Sequence, residues 1–180
     1  MDIIIKPMET EDEIRGKAFV HWKSWQESYR GIVDDGYLDR MTLAQTEEKA
    51  FLWRDNILVA KDGERVIGFV GYGAAPGEGS AGEVFALYVL EEYQKRGIGY
   101  ALMRRALDEL SGCRAVCLWA FAENKKALSF YERVGFHLDG TEKEIVLGTP
   151  ARGVRLTMEM REAKSLPLEG TVPQCSHWGG

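Results

Sequence analysis

Two basic residues and two glycines occur together in Gln94-Lys95-Arg96-Gly97-Ile98-Gly99, between an apolar run and a segment of helical periodicity. Residue types in this pattern suit an anion. Glycine lets backbone N–H groups approach a ligand without interference from a Cβ. The first N–H groups of a helix have no intrahelical partner and point outward at the positive end of its dipole. Lys95 and Arg96 add full charges at that spot, and a pyrophosphate is a fitting partner. The plainer reading is a strand-to-helix turn with a solvated basic pair, and the six residues alone leave the two level.

Other chemistries are easier to set aside. A GxGxxG pattern at Gly77-Glu78-Gly79-Ser80-Ala81-Gly82 leads into a strand, whereas a dinucleotide site needs a helix to follow. No GxxxxGK[ST] occurs, which disfavours a P-loop enzyme. His21, His137 and His177 are widely separated, and no Cys or His pair has zinc-ligand spacing, so no metal is expected. Cys175 and His177 are too close in sequence for a catalytic pair, and no Ser-His-Asp arrangement can be nominated.

The elements that must position the basic turn are readable from periodicity. A short strand at 2–6 precedes Thr10, which has Glu13 three residues on and so opens a helix by a capping box, running to about residue 30 and stopping at Gly31. Short helices near 33–39 and 42–54 follow. Segments 56–63 and 65–73 read as a hairpin turning at Asp62-Gly63. Segment 83–90, EVFALYVL, is apolar at nearly every position, as a strand buried on both faces should be. The helix 97–110 sets Arg104, Arg105, Asp108 and Glu109 against Ile98, Ala101, Leu102 and Ala106. A strand at 114–122, a helix at 124–134 stopped by Gly135, and two closing antiparallel strands with a turn at Thr149-Pro150 complete the order. This is an α/β domain with a mixed sheet over 1–161, followed by a C-terminal tail, 162–180, in which periodicity stops.

Composition narrows the function classes. A chain of 180 residues with 45% hydrophobic and 28% charged content buries an ample core without disulfides. No apolar run is long enough to span a bilayer, and the N-terminus has no signal-peptide pattern, so no membrane partner is expected. Three cysteines without a framework fit a reduced, cytoplasmic protein. The net charge is −5, and residues 1–55 carry 12 Asp/Glu against 8 Lys/Arg. That balance is the opposite of a nucleic-acid binder's and leans weakly toward a cationic small molecule.

Context then decides the basic turn. Gln/Arg-x-x-Gly-x-Gly/Ala after an apolar strand and before an amphipathic helix is the pyrophosphate-loop signature of the GNAT superfamily of acetyl-CoA-dependent N-acetyltransferases. EVFALYVLEEYQKRGIGYALM resembles that motif along its whole length, and CLWAFAENKKALSFYERVGF resembles the segment that completes the acetyl-CoA site. With FVGYG and VRLTMEM matching flanking strands, the resemblance covers residues 2–161.

The resemblance implies a GNAT fold: a mixed, mostly antiparallel twisted sheet with flanking helices and a splayed central strand pair, 83–90 and 114–122. The pantetheine arm of acetyl-CoA would lie in that gap along Leu87, Tyr88 and Val89, with Leu87 and Val89 as backbone partners and a bulge nearby turning an N–H toward the thioester oxygen. Gln94 and the backbone of Lys95, Arg96, Gly97, Ile98, Gly99 and Tyr100 would hold the pyrophosphate. Asn124 has two readings, a cofactor contact or only a helix N-cap. Tyr131, otherwise a core aromatic, would protonate the departing thiolate. Glu83 stands eleven residues before Gln94, the spacing of the general base in the histone acetyltransferase branch, against the plain reading of a strand-end glutamate in solvent. A base, direct or through water, is needed because a primary amine, with a pKa of about 10.4, is mostly protonated at neutral pH. Trp22, Trp25 and Tyr29 form first of all a core stripe. In the resembling fold Trp25, Tyr29 and Glu83 would border the acceptor, with Glu27, Asp34 or Asp35 nearby. The implied activity is transfer of an acetyl group to a primary amine, a small cationic one, by direct attack in a ternary complex. A non-catalytic acyl-CoA-binding regulator and an acetyltransferase of protein amino groups are the alternatives. Homodimers are common among such proteins.

Overall fold

The computed structural model describes residues 2–160; Arg161, the expected tail 162–180 and, with it, Cys175 and His177 lie outside the described residues. Strand β1 (Ile3–Pro7) leads to α1 (Glu11–Ser28), α2 (Asp35–Arg40) and α3 (Leu43–Leu52). The hairpin β2 (Ile57–Asp62) and β3 (Arg65–Ala74) follows, then β4 (Gly82–Val89), α4 (Ile98–Glu109), β5 (Ala115–Phe121), α5 (Lys125–Val134), β6 (His137–Leu147) and β7 (Thr149–Glu159). They build one seven-stranded sheet in the order β1-β2-β3-β4-β5-β7-β6. Every neighbouring pair is antiparallel except β4–β5. No helix among the described residues is long and apolar enough to cross a membrane.

Local chemistry explains the boundaries. The capping box at Thr10 and Glu13 forms as expected, and Thr42 with Gln45 builds a second one for α3. Helix α1 ends at Ser28, before the expected stop at Gly31: Tyr29 leaves helical geometry, at φ −105° and ψ 1°, and its carbonyl accepts from the Ile32 and Val33 amides in a turn. Gly135, with φ 116°, closes α5. Ladder pairing extends through Leu147↔Thr149 and Val146↔Pro150, so Thr149-Pro150 is strand and the turn falls on Gly148, at φ 82°. Glycine takes up that left-handed conformation without the steric cost a Cβ would add.

Side-chain parity assigns the faces. Phe69 and Tyr88 face α1, where Trp25 Nε1 donates to the Tyr88 hydroxyl at 2.9 Å and His21 stacks on that ring at 5.4 Å. A Cβ on the neighbouring Gly68 would meet Leu102 of α4, so α4 covers the opposite face. The N-terminus of α1 is fixed by Glu13, which accepts from Lys6 Nζ at 2.8 Å, Lys61 Nζ at 3.1 Å and the Glu9 and Thr10 amides at 2.8 and 3.2 Å.

Candidate active site

The only parallel pair in the sheet stays together for two residues. Gly82 lies opposite Val116 and Glu83 opposite Cys117, and no further pairs join β4 to β5. On its other side β4 remains in register with β3 up to Val89. Leu90 donates to Ile67 O at 2.9 Å, and the two-residue repeat of an antiparallel ladder then directs the backbone of Tyr88 and Ala86 toward β3. Leu87 and Val89, between them, turn their N–H and C=O groups into the gap beside β5. Tyr88 contributes backbone to the β3 ladder and its ring to the α1 core.

The expected bulge near Leu87 and Val89 sits elsewhere. Pairing over Gly68↔Val89, Phe69↔Tyr88 and Val70↔Leu87 is regular, and the irregularity falls between Gly71 and Tyr72, where Phe85 is the extra residue of β4. Gly73 lies opposite Glu83 on β3, and a Cβ there would come within 2.9 Å of the Phe85 ring, so β3 has made room for the displaced side chain. The bulge thus lies where β4 and β5 part.

The basic turn closes the far end of the gap. A 3-10 turn at Glu91–Tyr93 is followed by Lys95 at φ 62° and by Gly97 at φ 76°, which is the N-cap of α4. A non-glycine residue in this region is uncommon and marks a held conformation. Among the described residues no side chain caps α4, so its leading amides face outward. Ile98 and Gly99 are buried, and the Tyr100 hydroxyl is enclosed with no hydrogen-bond partner among the described residues. Arg96 reaches back to donate to Glu92 O at 2.8 Å and lies 5.3 Å from the Tyr93 ring centroid. Gln94 Nε2 donates to Val89 O at 3.0 Å, and Lys126 Nζ donates to Gln94 Oε1 at 3.1 Å. Asn124 is the N-cap of α5, accepting from the Ala127 amide at 3.1 Å.

Glu83 is half-buried on the α1 face. Burial pushes its carboxyl above the usual glutamate range, the charges of Lys143 and Arg155 oppose that, and Glu78 adds to it. Cys117, opposite Glu83, is pushed up to about 11 by burial, with Glu83 contributing, which keeps it a neutral thiol. Arg155 joins the β6–β7 hairpin to the loop before β4, donating to Asp139 at 2.6 Å and to Glu78 at 2.7 Å. The hairpin tip reaches α2: a Cβ at Gly148 would fall 2.6 Å from Asp34, whose carboxylate caps α2 through the Tyr37 amide at 2.8 Å.

The aromatic residues of α1 lie deep. Trp25 is 5% exposed, and fully buried Tyr29 packs edge-on against Trp25 at 5.0 Å and Phe121 at 5.1 Å. Their positions match the core stripe. Trp22 donates to Met41 O at 2.9 Å, and Glu27 pairs with Lys23 at 3.1 Å. Tyr131 is fully buried on α5 between Phe130 and Phe136, at 5.3 and 6.2 Å. Sequence reasoning passed over Lys126, Trp119, Lys143 and Arg155, all of which border the gap or its α1 side. Only Lys126 carried a local signal, as the second residue of a helix that begins at a named Asn.

That architecture, a mixed sheet parting at its parallel pair above an uncapped glycine turn, is the GNAT acyltransferase fold. The model of the acetyltransferase (GNAT) family matches residues 19–136. The chain belongs to that family and is an acyltransferase. It is 30% identical over 165 residues, 82% of this chain and 93% of the other, to the uncharacterized N-acetyltransferase YuaI of Bacillus subtilis (strain 168). A probable N-acetyltransferase of Mycobacterium tuberculosis is 33% identical over 131 residues, 68% of this chain and 74% of its own. Among solved structures, the PaiA N-acetyltransferase of Thermoplasma acidophilum in complex with coenzyme A superposes with a TM-score of 0.68 at 20% identity, over 88% of this chain and 99% of that one.

Proposed function

We propose that this enzyme moves the acetyl group of acetyl-CoA to a small cationic primary amine by direct attack in a ternary complex. One observation carries the reading: β4 and β5 part after two pairs, leaving the backbone of Leu87 and Val89 directed into the gap. The pantetheine arm pairs there as an added strand would. Its pyrophosphate rests on the amides from Lys95 to Tyr100, at the positive end of α4. An enclosed polar group without a partner costs about 1–3 kcal/mol, and a contact to the cofactor relieves that cost at the Tyr100 hydroxyl. Asn124 and Gln94 border the same cofactor.

In this scheme the acceptor enters from the α1 face, with Trp25 and Tyr29 backing its wall. Glu83, directly or through water, takes the proton that the ammonium must lose. The neutral amine attacks the thioester carbon, the Leu87 N–H stabilises the oxyanion, and Tyr131 gives a proton to the leaving sulfur. No metal takes part. Among the described residues Cys113 and Cys117 are free thiols, which fits a reducing cytoplasm. The acidic N-terminal third, with Glu78 and Glu83 on the acceptor side, supports a cationic substrate.

The test is calorimetric binding of acetyl-CoA together with thiol release across a panel of amines. Binding with amine-dependent release is expected. Absence of binding would end the reading, and binding without release for any amine would make the protein an acyl-CoA sensor. Tyr131→Phe should lower turnover roughly 10²-fold with acetyl-CoA affinity unchanged; unchanged turnover would remove Tyr131 from the chemistry.

A further inference from the structure

We propose that Lys143 is an internal acceptor: when acetyl-CoA is bound and no amine has entered, the enzyme acetylates its own Lys143 at Nζ. The inference rests on the acetyl-transfer reading above. Ladder register places the participants. Glu83 lies opposite Cys117, and Trp119 follows two residues along β5 on the same face, with Arg155 opposite it on β7. Lys143 pairs with Gly153, which pairs with Phe121, so its backbone stands one row further toward the open end of the gap. Its side chain bends back over β5, and Nζ lies 4.0 Å from the centroid of the Trp119 ring. Burial leaves the Glu83 carboxyl raised, although the positive charge of this ammonium, together with that of Arg155, lowers it.

A primary amine, an aromatic platform under it and a carboxylate able to take its proton therefore share the α1 side of the sheet beside the point where β4 and β5 part. The strand that bears the amine is anchored on both sides of it. Arg155 ties Asp139 of β6 to Glu78, and the hairpin tip at Gly148 abuts Asp34. A cation over an aromatic face is weakly held, at about 0.5–1 kcal/mol where solvent reaches it.

The step balances without any other reactant. Nζ gives a proton to Glu83, and its lone pair attacks the acetyl carbon. The N–C bond forms as the C–S bond breaks, the electron pair leaves with sulfur, and the second proton shed by the nitrogen as the amide forms balances the one that sulfur takes up. The products are N-acetyl-Lys143 and the free thiol of CoA. The new amide is neutral, so the wall over Trp119 loses a cation.

The experiment incubates the full-length chain with acetyl-CoA and no amine, follows acetylation of each lysine by peptide mass spectrometry, and measures acetyl-CoA binding on the same samples. Exposed Lys95, Lys125 and Lys126 report chemical acetylation by the thioester alone. Lys143 should be modified at least tenfold faster than these, and Glu83→Gln should remove that advantage while still binding acetyl-CoA. Trp119→Leu, which keeps both amine and carboxylate, should also slow Lys143. If acetyl-CoA binds and Lys143 reacts no faster than the rim lysines, the inference is overturned and the proposed function stands. Preferential modification that persists at the same rate in Glu83→Gln overturns it as well, since the enzyme's base is then not involved. Failure to bind acetyl-CoA at all overturns both.

Discussion

The Gln94 side chain bridges Val89 and Lys126, donating to the Val89 carbonyl at 3.0 Å while accepting from Lys126 Nζ at 3.1 Å. One amide thus ties the end of β4, the basic turn and the first turn of α5. The Val89 carbonyl is one of the groups directed into the gap, so under the proposed function Gln94 would set where cofactor pairing along β4 ends. Gln94→Ala is expected to weaken acetyl-CoA binding about tenfold, or roughly 1.4 kcal/mol, and Lys126→Met by less. Calorimetry reads both; an unchanged dissociation constant for Gln94→Ala would show that the bridge does not shape the site.

If Glu83 is the base, as proposed, it governs the pH dependence of turnover. Its carboxyl is raised by burial, and the carboxylate is the form that accepts a proton. The quantity kcat/KM should therefore fall on acidification through an inflection above the ordinary glutamate value of about 4.3. Glu83→Gln should lower kcat roughly 10²-fold and abolish that limb. Lys143→Met removes a cation that opposes the rise, so the limb should move to higher pH. A pH–rate profile of the three proteins checks all of this, and a limb unchanged in Glu83→Gln would assign it to another group.

Stability in acid depends on Glu13. Burial alone would raise its carboxyl, but hydrogen bonds from Lys6, the Glu9 and Thr10 amides and Lys61 bring it down to about 2 from 4.5. A depressed carboxyl stabilises the fold fully above its unfolded value and loses that contribution as pH falls toward the folded one. The window here is pH 4.5 to about 2. Glu13→Gln should cost on the order of 2–3 kcal/mol at neutral pH. Denaturant unfolding should show the cost disappearing across that window, and an equal deficit at both ends would exclude the linkage.

Gly148 has a steric role as well as a conformational one. A methyl group there would collide with Asp34 and occupy a left-handed conformation. Gly148→Ala should lower Tm by roughly 3–8 °C and disturb the cap of α2. In the proposed scheme hairpin tip and cap border the acceptor, so KM for an amine should rise while acetyl-CoA affinity holds. Thermal denaturation and steady-state kinetics separate these effects; an unaltered KM would place the tip outside the acceptor wall.

The element order and the basic turn could be read from the chain because their signals are local. Thr10 and Glu13 lie one turn apart, Gly135 ends α5 by its own conformation, and EVFALYVL announces a strand buried on both faces. The misplaced features depend on distant partners. The extra residue Phe85 is defined only against Gly71 and Tyr72 of β3, and the turn at Gly148 only by how far β6 and β7 pair. Lys143 and Trp119 are separated by 24 positions and meet through two ladders, which no spacing rule reports. Trp25 and Tyr29 show the reverse problem: a stripe of aromatics looks the same whether it lines a cavity or fills a core.

The two-pair contact between β4 and β5 also divides the molecule by chain order. Strands β1 to β4 come from residues before Leu90, and β5 to β7 from residues after Arg114. Each half-sheet is thus contiguous in sequence, and they share one short seam plus the covering helices. A ligand seated along that seam would bridge two halves otherwise joined only by those two pairs and the covering helices. Hydrogen exchange at Leu87, Val89 and the facing residues of β5 should then slow more on binding CoA than exchange anywhere in the β6–β7 hairpin, and cofactor occupancy would set the cohesion of the whole sheet.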